Sequence, residues 1–502
     1  MHYAFLHKII PHRQLKNDRI MTETLKDKTA RGLFWGMMNS GTTQVLNLVI
    51  GIMLGRLLSP DDWGLVGMLA IFSALAGNIQ SSGFSTAIVN MKAPTERDYN
   101  AVFWFNILTS IAIYLLLFAC ATLIAQFFHQ PQLAGLSRVV FLSFLISSFG
   151  ISTNAYMTKN MMNKEITIVS FVALVTSGTV AVIMAYRGFA YWSLAWQQVI
   201  NSTMLVVGRF ICVEWKPALR FDFSPIRKTF RFSMNILATT IINTVNANIL
   251  TFIFGRVYGR HVTGNFFQAN KWNTMASSLV SGMLDQVAQP VLVSLRDDND
   301  KAREVRAFRK LLRFTSFLAF PAMFGLALIG HEFIIITITE KWIESVLPLQ
   351  ILCVGGAFLP FYSLYRNLII SHGQSDINMW LNIGQVVLQL LLIILLRHYG
   401  FIAMVLGYST FNILWLGAWQ YYAHRMTGLR LTDVFKDILP FLAISLGVMT
   451  VTWLVTHPIT NMYILLCSRI IIAAALYLTI MKLAHAVILQ ECIDFILHRK
   501  RR

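Results

Sequence analysis

The sequence predicts an all-α integral membrane protein of fourteen transmembrane helices, arranged as two pseudo-symmetric six-helix lobes plus two further C-terminal helices. Three observations predict it. The 502 residues are 56% hydrophobic and only 13% charged, with a mean hydropathy of +0.59, whereas soluble domains carry roughly 25% charged residues. Apolar runs long enough to cross about 30 Å of hydrocarbon recur along most of the chain. A short pattern also occurs twice where such a run ends: Gly55-Arg56 with Gly64, and Gly255-Arg256 with Gly264. The polar residues ahead of the two copies match as well. Ser40, Gln44 and Asn47 correspond to Thr239, Asn243 and Asn246, each pair displaced by 199 positions. Gly-Arg alone occurs four times, so the weight rests on the pair, its trailing glycine and its polar helix recurring together. An internal repeat of this size in a membrane points to a transporter built of two bundles around one path.

Residues 1–30 are polar and basic and are expected to form a cytoplasmic tail. Their apolar patch at Tyr3–Leu6 is too short for a signal peptide, and Met21 is an alternative start. The first lobe, 31–214, holds spans near 33–55, 64–90, 99–128, 133–157, 166–186 and 188–212. A basic linker, 215–231, follows and is open to a surface-lying amphipathic helix. The second lobe, 232–428, holds spans near 232–255, 262–290, 311–337, 347–371, 377–396 and 400–423. Mixed charges between 291 and 310 suit a solvated helix along the membrane face, and Gly355-Gly356 and Pro360 break the tenth span. The last two spans, 438–456 and 463–488, lie within 429–490. They either pack peripherally or build a lateral groove for a lipid tail. A basic cytoplasmic tail, 491–502, ends the chain.

An even number of spans puts both termini on one side. With the termini cytoplasmic, the outside loops hold Arg56, Arg138, Arg187, Arg256, Arg260, Lys341, Arg397 and Arg469, while the inside loops and tails hold most of the 42 Lys and Arg. That is a positive-inside asymmetry. The formal charge of +19 is therefore an orientation signal at an anionic leaflet, not a nucleic-acid footprint. The five cysteines are scattered singly without metal-ligand spacing and read as apolar packing residues.

Phosphate-loop, zinc-hydrolase and nucleophile-elbow motifs are absent from the sequence. Energy for transport must then come from an ion gradient or from the substrate's own. Glycan polymerases and ligases need catalytic groups in long outside loops, and the largest here spans only 338–346. In the eighth span Gln268, Lys271, Thr274, Ser278, Ser281 and Asp285 recur every three or four residues on one helical face. A lysine at mid-helix costs about 2.5–3.5 kcal/mol on insertion scales. Lys271 is thus either a contact for an anionic head group or an internally paired cation. Asp285 is the one acidic residue expected well inside a span, either an ion carrier or the partner of a basic loop. Arg366, beside Tyr362 and Tyr365, either forks onto phosphate or snorkels to the inner boundary. The matched Ser40, Gln44, Asn47, Thr239, Asn243 and Asn246 are candidate cavity lining, with interhelical hydrogen bonding as the alternative. Arg56 and Arg256 are gate candidates or helix end-caps.

The run Leu54-Gly55-Arg56-Leu57-Leu58-Ser59-Pro60-Asp61-Asp62-Trp63-Gly64 resembles Wzx-type polysaccharide exporters of the multidrug/oligosaccharidyl-lipid/polysaccharide superfamily. These typically carry Gly-Arg-x-Leu-x-Pro-x-x-x-Gly after their first span. Gly32-Leu33-Phe34-Trp35, Gly83, Gly264 and Pro290-Val291-Leu292-Val293-Ser294 are similar to that family too. The resemblance runs from about Arg31 to Gly428 and is strongest to the colanic-acid and teichuronic-acid branch. It implies a flippase that carries undecaprenyl-pyrophosphate-linked oligosaccharide from the inner to the outer leaflet of a bacterial inner membrane by alternating access. It further implies proton or sodium coupling, no bound cofactor, and a polymerase and a chain-length regulator as possible partners. It carries no catalytic residue onto this chain. A cation-coupled multidrug antiporter or a lipid II flippase would share the scaffold.

Overall fold

The computed structural model describes residues 35–484 and 488–490 except 37, 82–83, 220–221, 223 and 298–300. The tail 1–30, Gly32 to Phe34, Gly83 and the basic tail 491–502 lie outside the described residues. Every regular element among the described residues is helical. In chain order they are α1 (38–57), α2 (Pro60–Ser81), α3 (Phe84–Asn90), α4 (Glu96–Phe128), α5 (Gln132–Ser148), α6 (Ile151–Lys159), α7 (Asn163–Tyr186), α8 (Trp192–Cys212) and α9 (Ser224–Val257). They continue as α10 (Gly259–Asp297), α11 (Lys301–Ile338), α12 (Val346–Gly356), α13 (Leu359–Ser371), α14 (Ser375–Leu396), α15 (Phe401–Thr427), α16 (Leu431–Thr456) and α17 (Met462–Leu483).

Ten helices among the described residues are long and apolar enough to cross a membrane, or eleven if the bent pair α5 and α6 counts as one span. The chain is therefore a multi-pass membrane protein. The expected count of fourteen is not reached on that measure, although each expected span falls on a helix or a helix pair. The three that fall short, α1, α8 and α10, all carry amides and hydroxyls that lower their hydropathy. The fourth expected span bends by 43° between α5 and α6. At that break the Gly150 carbonyl accepts a hydrogen bond from Arg209 Nη1 at 3.2 Å. The tenth span breaks after Gly356, as its glycines and Pro360 suggest, into α12 and α13.

Two loop expectations are corrected. Residues 291–297 and 301–310 are not a separate surface helix but the ends of α10 and α11. Charge ends hydropathy there without ending the hydrogen-bonded helix. The linker likewise holds no separate helix among its described residues: 213–219 run irregularly and α9 starts at Ser224. This strap is pinned to α4, where Trp104 Nε1 donates to the Ala218 carbonyl (2.8 Å) and Asn100 Oδ1 accepts from the Ala218 amide (2.9 Å).

The fold comprises two compact units. The first takes the described residues up to Leu57 and Phe72–Ile241; the second takes Leu58–Ile71 and those from Ile242 onward. Aromatic packing anchors the first: Trp215 lies 5.9 Å from both Tyr99 and Phe103, centroid to centroid. In the second, α10 packs on α11, α12 and α13, with Trp272 edge-on to Phe333 at 5.2 Å. The segment Ser59-Pro60-Asp61-Asp62 of the repeated motif starts α2. Asp62 Oδ2 accepts from the Ser59 amide (2.9 Å) and hydroxyl (2.7 Å), and proline occupies the first helical position.

Candidate functional site

The second unit contains a cavity of about 310 Å³ into which amides and hydroxyls project between apolar side chains such as Ala247, Leu352 and Leu359. Asn243 and Asn246 of α9, both expected as cavity lining, open onto it together with Asn270, Asn273 and Thr274 of α10 and Asn382, Gln385 and Asn412 of α14 and α15. One wall is cross-bonded. Asn412 Oδ1 accepts from Gln385 Nε2 (3.0 Å) and Gln389 Nε2 (3.3 Å), and its carbonyl accepts from the Tyr362 hydroxyl (2.6 Å). The other wall has spare capacity, since Asn246 Oδ1 and Asn273 Oδ1 are buried without a protein partner. No charged side chain is among the described residues lining this cavity.

Gly355 and Gly356 let the walls close. A Cβ on Gly355 would sit 2.3 Å from Ser409 Oγ, and one on Gly356 would sit 2.1 Å from Asn273 Oδ1. A larger residue at either position would have to push these side-chain tips aside.

Lys271 does not line this cavity. Its ammonium lies over the Trp63 ring at 4.6 Å and near the Trp272 ring at 5.5 Å, so aromatic faces supply its partners. Gln268, one turn earlier, is fully buried with both amide atoms unpartnered. Ser278 bonds back to the Met275 carbonyl of its own helix at 2.9 Å.

Asp285 and Arg366 are brought together. Arg366 Nη2 donates to both carboxylate oxygens at 3.2 Å, and Asn367 Nδ2 donates to Asp285 Oδ1 at 2.9 Å. Ser40 is exposed, Gln44, Asn47 and Thr239 are half-buried, and Arg56 and Arg256 are exposed in the last turns of α1 and α9.

Asp285 is not the only acid within a span. Glu332 is buried in α11 and accepts from Arg469 Nη1 at 2.7 Å. Arg469, expected in an outside loop, is instead buried on α17, where it also donates to the Leu328 carbonyl at 3.1 Å. Arg469 borders an apolar groove of about 640 Å³ lined mainly by α11 and α17. Reading the acid at 332 and the base at 469 as a pair from sequence would have required knowing that α11 and α17 are neighbours.

A multi-helix membrane fold with a polar cavity between its helices is the architecture of membrane transporters. A family model described as polysaccharide biosynthesis protein matches residues 53–347, and this chain belongs to that family. Among curated relatives it is 26% identical to the lipopolysaccharide biosynthesis protein WzxC of Escherichia coli K12, over 72% of this chain and 73% of that one. It is 22% identical to the teichuronic acid biosynthesis protein TuaB of Bacillus subtilis 168, over 71% and 74%. Among solved structures the fold resembles the lipid II flippase MurJ in an inward closed conformation, with a TM-score of 0.68 at 15% identity over 93% of this chain and 99% of that one. It also resembles an inward-facing multidrug MATE transporter of the MOP superfamily, with a TM-score of 0.64 over 78% and 98%.

Proposed function

We propose that this protein is a flippase for undecaprenyl-pyrophosphate-linked oligosaccharide repeat units, working by alternating access in a bacterial inner membrane with both termini cytoplasmic. The observation that carries the substrate class is the uncharged cavity into which several amides project, with unpartnered carbonyl oxygens at Asn246 and Asn273. Such walls match hydroxyl-rich sugars, which present many donors and acceptors and no net charge, better than the cationic drugs of an antiporter. The apolar groove beside Arg469 suits a prenyl chain, and Lys271, drawn off its indole faces, suits the pyrophosphate or an acidic sugar. Repeat units delivered outside would pass to a polymerase and a chain-length regulator. A proton or sodium gradient drives the cycle in this reading.

The test is Lys271→Ala in a host that depends on this protein for an acidic surface glycan. Glycan display should fall at least tenfold while the variant still inserts at wild-type levels. Normal display would remove Lys271 from the substrate path. Drug resistance conferred without any glycan phenotype would favour the antiporter reading.

A further inference from the structure

The two trailing glycines of the repeated motif meet each other. A Cβ on Gly64 would lie 1.8 Å from the Arg260 carbonyl oxygen, and one on Gly264 would lie 1.8 Å from the Pro60 carbonyl oxygen. The contact is reciprocal under a shift of 200 residues, so equivalent positions of the two copies form a symmetric crossing of α2 and α10. Small residues allow backbones to approach this closely within a membrane. Side chains at the mouth of the crossing then decide how firmly it holds.

His261 sits at that mouth with a carboxylate against each ring nitrogen. Its Nδ1 lies 3.4 Å from Asp61 Oδ1 of α2, and its Nε2 lies 3.1 Å from Glu344 Oε2 on the 3-10 turn Glu340–Ser345. A neutral imidazole brings no charge to either carboxylate, whereas the imidazolium forms an ion pair with both. The other charged groups around the ring are Asp62 on α2, Arg260 on its own helix, 3.7 Å from Asp61 Oδ1, and Glu340 and Lys341 on the turn. Asn265 Nδ2 holds Glu344 Oε2 from a second side at 3.2 Å. About half of the His261 side chain is exposed, so protons reach it from solvent.

We propose that His261 is a proton-binding site that latches the α2–α10 crossing: closing the crossing takes up one proton, and losing that proton releases α2. On the exporter reading, on which the direction of use rests, this end of α10 faces outside. A proton from that side would then close the outer end after substrate release.

The experiment is hydrogen–deuterium exchange of the full chain in nanodiscs from pH 8 to pH 5, corrected for intrinsic rates and followed on peptides covering 60–71 and 259–272. A single linked proton changes the closed population by at most about tenfold per pH unit. Wild type should therefore gain protection toward that limit as pH falls from 8 to 5. His261→Gln should be flat and poorly protected, and His261→Arg, a permanent cation with a fork for both carboxylates, flat and well protected. Glu344→Gln should lose the step while remaining folded. A wild-type profile that does not change with pH, or a step that survives in either His261→Gln or Glu344→Gln, overturns the proposal. The readout needs no substrate, so failure of the exporter reading would show in glycan display and failure of the latch in exchange.

Discussion

At the scale of single residues, the repeated glycines were legible in the sequence, but what they do was not. Their recurrence marked the two copies; only the fold shows that Gly64 and Gly264 face each other's backbone. A methyl group at either position would have to displace a carbonyl oxygen 1.8 Å away, which no rotamer change relieves. Gly264→Ala should therefore lower stability by at least about 1–3 kcal/mol, the range for overpacking a close contact, and should cut export sharply. Gly77→Ala, where a Cβ meets nothing within 4 Å, should leave both unchanged. Thermal unfolding in detergent and glycan display measure the contrast, and equal behaviour of the two variants would deny the crossing its role. Charge tells a similar story. Asp285 and Arg366 stood out as charges inside apolar runs, yet sequence position gave no sign that they pair across 81 residues. Glu332 and Arg469 escaped attention because each lies near the end of an apolar run, where a charged residue is ordinarily read as loop.

At the scale of elements, hydropathy located the helices well and their ends poorly. It sees where side chains stop being apolar, whereas a helix stops where its backbone is capped or broken. α10 and α11 run on into charged sequence for that reason. The start of α9 shows what a real boundary looks like: Asp222 Oδ1 accepts from the Ser224 amide at 3.0 Å, and its other oxygen pairs with Arg97 of α4. The hydrogen bonds from the Ser224 amide and hydroxyl, then Arg97, hold the Asp222 carboxyl below the usual carboxylate range. A carboxyl depressed by folding favours the folded arrangement wherever it is ionised, and that contribution disappears on protonation. The strap at 213–219 should thus keep its protection at pH 6 and lose it as pH drops below about 4, through the carboxylate range. Hydrogen exchange of that peptide, corrected for intrinsic rates, follows the change. Asp222→Asn should be less protected and show no such acid step, and a variant that tracks wild type would remove the carboxylate from the account.

At the scale of the whole molecule, the number of crossings and the side on which the chain ends are one question. Ten crossings or fourteen return the C-terminus to the side of the N-terminus, and eleven would not. The charge distribution argues for an even number with both ends inside, because Lys and Arg then concentrate on one face of the membrane. On that arrangement the turns at Gln130, Gly188 and Thr460 face outside, and those at Gly373 and Gly428 face inside. Single cysteines at these five turns, in a variant lacking the native cysteines, should divide cleanly in intact cells. A membrane-impermeant maleimide should label the first three fully and the last two only after permeabilisation. The α5–α6 bend makes this more than a formality. If that pair turns back without crossing, Gly188 changes sides relative to Gln130, and every later turn inverts with it. Protection at Gly188 together with labelling at Gly373 would establish a re-entrant pair and an odd count. It would also set His261 and Glu344 on the face opposite Asp61, which the 3.4 Å contact between Asp61 and His261 does not allow, so the cluster itself argues that the pair crosses.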